Sequence, residues 1–116
     1  TLRKPEEAKI LPTKEQSSIF EVLITKRWTM NFNPALGNMT KPIAFNGDGT
    51  IAEGRNANEY TWKLEDSVLA IYRADGKLQN RYKPIGHKFV CTNDSSARGL
   101  PNQVIYRADV PIGELS

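Results

Sequence analysis

The sequence predicts a mainly β domain: a small antiparallel meander of about seven strands, closed into a barrel or folded into a sandwich, with one helix near the N-terminus. Three observations predict it. The hydrophobic period changes from 3.6 to 2 after Arg27. Two turn tetrads, Asn46-Gly47-Asp48-Gly49 and Ala74-Asp75-Gly76-Lys77, separate runs of strand-forming residues. Strand-like runs then recur about every 8–12 residues, the spacing of all-β domains.

Residues 1–12 are charged, carry two prolines and lack periodicity, so they read as an extended arm; 13–116 read as one domain. Thr13 looks like an N-cap, with Gln16 completing a capping box. Ile19, Phe20, Leu23 and Ile24 follow at helical spacing, giving a helix over about Lys14 to Thr25. The alternative is a strand through Phe20–Ile24, which is rich in β-formers.

Beyond Arg27, Trp28, Met30 and Phe32 alternate with polar residues, the mark of a half-buried strand. Ile43–Phe45 and Thr50–Ala52 flank the first turn tetrad as a hairpin. Tyr60, Trp62 and Leu64 alternate as a further strand. Val68–Arg73 and Leu78–Lys83 form the second hairpin, Lys88–Thr92 is a short strand, and Gln103–Ala108 is the last, after a polar loop.

The 116 residues suit one domain, and 39% hydrophobic with 25% charged residues is ordinary for a soluble globular chain. No apolar run reaches the roughly 18 residues of a spanning helix, so no membrane partner is expected. The charges are interspersed and sum to only +3. Compartment stays open. Asn38-Met39-Thr40 and Asn93-Asp94-Ser95 fit the glycosylation pattern, a short match that arises readily by chance.

One cysteine and one histidine cannot make a zinc site by themselves, and no metal or cofactor is expected. On one strand His87 and Cys91 would lie about 13 Å apart, beyond hydrogen-bond reach. Asp48, Glu53 and Glu59 are the carboxylates that acid–base chemistry would use, but turn carboxylates are usually solvated. Phosphate loops, dinucleotide fingerprints and nucleophile elbows are absent. No catalytic residue is assigned, and the domain reads as non-catalytic.

The most informative stretch is Gly47–Trp62, where Arg55, Asn56, Asn58 and Glu59 adjoin Tyr60 and Trp62. Aromatic rings cover the C–H face of a pyranose while amides and carboxylates bind its hydroxyls, so these six residues are the candidate site for a small-molecule or sugar ligand. The competing reading makes Asn56–Asn58 a turn, Tyr60 and Trp62 core, and Arg55 with Glu59 a surface pair. Single-stranded nucleic acid comes lower. Ten aromatic residues and an isoelectric point near 9.1 favour it, but Tyr and Arg adjacent on a strand face opposite ways.

Trp28 at the head of the first strand and Arg107 near the end of the last resemble the calycins, the lipocalin- and avidin-type barrels. Those begin with a Gly-x-Trp strand, run as a meander and end with a basic residue over the tryptophan. Lys26 stands where that family has glycine. The resemblance implies a ligand held in the barrel mouth. A second expectation is an interaction module, self-assembling as a homo-oligomer or docking on another protein through the arm and the apolar helix face.

Overall fold

The computed structural model describes residues 14–37 and 39–110, with side chains described from Ser18 onward. The arm, the Thr13–Gln16 capping box and Asn38 of the first glycosylation pattern lie outside what is described. A helix α1 (Lys14–Thr25) precedes β1 (Trp28–Asn31), a 3-10 turn (Pro34–Leu36), β2 (Thr40–Ile43), β3 (Thr61–Glu65), β4 (Val68–Tyr72), β5 (Leu78–Ile85), β6 (Lys88–Cys91) and β7 (Val104–Arg107). The helix, not the Phe20–Ile24 strand, forms. Thr25 Oγ1 donates to the Glu21 carbonyl at 2.6 Å, and Trp28 Nε1 donates to the Leu23 carbonyl at 3.2 Å. The Leu23 carbonyl, one of the last four of the helix, thereby gains a partner that the helix cannot supply.

The seven strands make one antiparallel sheet in the order β2-β1-β7-β6-β5-β4-β3, curled into a half-barrel. A single sheet disposes of the two-sheet sandwich. The 44–53 hairpin then ties the two outer strands together. Ala44 and Ala52 bond along the end of β2, while Ile51 N donates to Tyr60 O at 3.0 Å and Trp62 N to Gly49 O at 2.8 Å beside β3. The hairpin expected at 46–49 is present as the Phe45–Ile51 bridge rather than as two strands. The strand that pairs with β1 begins earlier, at Thr40. Its Thr-Lys-Pro start carries no apolar alternation, and Pro42 is tolerated because β2 is an edge strand of the sheet.

The core lies on the concave side. Trp28, Met30, Ile43, Phe45, Ile51, Trp62, Leu69, Ile71, Tyr82, Phe89, Cys91 and Ile105 close around Leu23 from the helix. The apolar helix face offered for docking is thus turned largely into the domain's own interior, and only Phe20 of that face is substantially exposed. The register defines two ends. Trp28, Arg107 and the His87 turn mark one, and Ile19 and Val22 of α1 line a crevice there with them. Asn31, Thr40, Tyr72, Leu78 and Val104 mark the other.

Candidate functional site

At the end away from the Trp28–Arg107 pair, the interior stops being apolar. Glu59, Gln79, Asn80 and Gln103 are all buried there, and a cavity of about 290 Å³ opens above them. Burying four polar side chains costs free energy unless each is hydrogen-bonded, so their partners define the site.

A bulge places two of them. Opposite β4 the register of β5 slips between Ile71 and Tyr72, so that Ile71 faces Asn80 and Tyr72 faces Leu78. The extra residue, Gln79, is buried together with its neighbour Asn80. A regular strand would send one of them outward. Gln103, just before β7, accepts from the Tyr82 hydroxyl at 2.6 Å and from Asn80 Nδ2 at 2.8 Å, and donates to Phe32 O at 2.9 Å. Burial pushes the Tyr82 phenol well above its ordinary range, so it stays a neutral donor.

The 56–59 turn supplies the acid. Asn56 Oδ1 accepts from the amides of Asn58 and Glu59, each at 2.8 Å, and Asn56 N donates to Glu59 O. This Asx-type turn is pinned to the next hairpin by Ala74 N donating to Ala57 O. Glu59 therefore points inward, where Lys41 of β2 pairs with its Oε1 and Gln79 Nε2 donates to its Oε2. Lys41 also donates to Gly54 O. Glycine is required at 54 by the close β2 backbone: its φ is +82°, and a Cβ would fall 2.5 Å from Pro42 O.

The 93–103 loop forms a wall. Asn93 and Asn102 exchange two hydrogen bonds. Asp94 accepts from the Ser96 hydroxyl and amide and from Arg81, which together hold its carboxyl down at about 2. Arg98 N donates to Leu78 O, and Gly99 N to Gln79 O at 2.7 Å. Gly99 thus rests directly on the buried amides.

Of the six residues expected to form the site, the structure brings Asn56, Asn58 and Glu59 to this cavity. Arg55 and Tyr60 lie together just outside its lining, the guanidinium carbon 5.9 Å from the ring centroid, with Tyr60 44% exposed. Trp62 is elsewhere. It is 4% exposed, sits 5.5 Å from both Phe20 and Phe45 between ring centroids, and donates from Nε1 to Asn46 O. Its place in the core matches the packing alternative, whereas Tyr60, ahead of the first residue of β3, reaches solvent.

Sequence reasoning missed Lys41, Arg73, Gln79, Asn80, Arg98 and Gln103. The one available signal was Asn80, in step with Tyr82 on an inward face. The His87 turn is exposed and Cys91 is buried. Among the described residues no three His, Cys, Asp or Glu side chains gather as metal ligands, and no helix is long and apolar enough to cross a membrane.

Trp28 and Arg107 are cross-strand partners on β1 and β7, but among the described residues no cation–π contact joins them. The Arg107 guanidinium makes two 2.8 Å bonds to Asp109. Searches against protein-family models, curated proteins and solved structures each returned no match.

Proposed function

We propose that this is a non-catalytic binding domain that takes a small, hydroxyl-bearing, carbohydrate-like ligand in the polar cavity. The observation that carries the reading is that three buried polar side chains, Glu59, Gln79 and Gln103, line an open cavity, with buried Asn80 bonded to Gln103 behind them. Stability alone favours filling such a barrel end with apolar side chains, whereas a polar ligand needs oriented amides and a carboxylate. The cavity is large enough for about one sugar ring. Glu59 retains free lone pairs to accept from hydroxyls, and Asn56 Nδ2 and Asn58 can donate. Tyr60 beside Arg55 offers a flat surface next to the Glu59 turn. The calycin resemblance implies a ligand held in the barrel mouth, which agrees with this reading.

The test is a thermal-shift screen of neutral saccharides, followed by amide NMR titration with any that stabilise the fold. Binding in the mouth shifts resonances of Asn56, Asn58, Gln79, Gly99 and Gln103 while leaving Val22 and His87 unmoved. Shifts confined to the His87 end would refute the site, and a flat screen and titration would refute the function.

A further inference from the structure

The hydrogen-bonding inventory of the cavity is lopsided. Most of its side-chain acceptors are already used: Gln79 Oε1 by Arg73, Gln103 Oε1 by Tyr82 and Asn80, and Asn56 Oδ1 by two backbone amides. The single lining carboxylate, Glu59, is paired with Lys41. Donors remain in excess. Arg73 spends one bond on Gln79 out of the five that a guanidinium can make. Among the described residues the Arg98 side chain has no ion-pair partner, and it is exposed at the cavity wall. With Lys41 and Glu59 cancelling, two guanidinium charges face the space without a counter-charge in the lining.

We infer that the ligand carries an anionic substituent, a carboxylate on a sugar ring, read by Arg73 and Arg98 while Glu59 accepts from the ring hydroxyls. The inference rests on the saccharide-binding reading above and specifies its substrate class. Guanidinium forks match carboxylates in shape, and charge-assisted bonds are about twice as strong as neutral ones. Position supports the pairing. Arg73 leaves β4 at the cavity rim, and Arg98 is fixed to the facing edge of β5 through its backbone bond to Leu78 O at 2.9 Å. The two cations are thus held by different elements around one opening, with the paired Glu59 between sheet and turn.

The experiment is an NMR titration of the full chain with glucuronate, glucose and acetate in low-salt buffer, repeated on R98Q and on the R73Q/R98Q double variant. Glucuronate should bind about tenfold more tightly than glucose, the gain expected for replacing a neutral contact by a charge-assisted one. That advantage should shrink in R98Q, vanish in the double variant and weaken with added salt. Arg98 is exposed and its fold contacts are through the backbone, so R98Q alone keeps the test valid if the double variant unfolds. Equal affinity for glucuronate and glucose would overturn the anionic inference and leave the saccharide reading standing. Acetate binding as tightly as glucuronate would overturn it in favour of a bare carboxylate. Failure of both sugars to bind would remove the saccharide reading and this inference together.

Discussion

Replacing Gly99 by alanine tests whether the loop wall is as tightly seated on the buried amides as its geometry indicates. A Cβ there would lie 2.5 Å from Asn80 Nδ2, 2.7 Å from Gln79 O and 2.8 Å from Gln79 Nε2. One of these atoms is backbone, so rotation of a side chain cannot relieve the clash. Overpacking of this kind costs about 1–3 kcal/mol. If the loop lifts instead, it forfeits the 2.7 Å bond from Gly99 N to Gln79 O and strains the bond from Asn80 to Leu100 O, each worth about 1 kcal/mol net. The expected loss is therefore about 1–3 kcal/mol, with loop lifting, at about 2 kcal/mol, inside that range. With an m value of about 1–2 kcal/mol per M, a 3 kcal/mol loss lowers the urea midpoint by about 1.5–3 M. Gly76→Ala is the internal control. Gly76 has φ +84° but open space around it, so its substitution carries only the left-handed backbone cost of about 1–2 kcal/mol. A Gly99→Ala variant no less stable than Gly76→Ala would refute the close-approach reasoning.

Two other perturbations have defined outcomes. Trp62→Ala should lose about 3–5 kcal/mol, because it empties a site shared with Phe20 and Phe45; chemical denaturation showing a change below 1 kcal/mol would place that ring outside the core. Acid should destabilise the fold through Asp94 and Glu65. Hydrogen bonds from Ser96 and Arg81 hold Asp94 down at about 2. Burial alone would raise Glu65, but bonds from Tyr72 and Arg81 outweigh it and leave its carboxyl below the usual range. Because both folded-state values lie below the unfolded ones, their contribution is complete above about pH 5 and is lost as the pH falls toward 2. Urea midpoints measured across that interval should fall less steeply in Asp94→Asn than in the parent, and parallel profiles would contradict the assignment.

Much of the architecture was legible because it is written in short-range patterns. The helix from Lys14 to Thr25, the two-residue period after Arg27 and the Asp75-Gly76 turn each depend on neighbours a few residues apart. A turn at Asn56–Asn58, the competing reading of that stretch, was legible for the same reason, since an asparagine side chain satisfies amides two and three residues on. Strand Thr40–Ile43 was not, because its place is fixed by pairing with β1 and not by its own alternation.

The cavity was decided by tertiary structure. Gln79 turns inward only because β5 slips register against β4, and Gln103 finds Tyr82 and Asn80 more than twenty residues away in sequence. Lys41 meets Glu59 only because β2 and the 56–59 turn come together where the sheet curls. Tyr60 and Trp62 show the division most plainly. The sequence by itself determined that they alternate with Thr61 along one run, but the end of β3 and the barrel curl decided that one packs against Phe45 and the other meets solvent. Local patterns specify periodicity and turns; which faces are enclosed depends on contacts between residues distant in the chain.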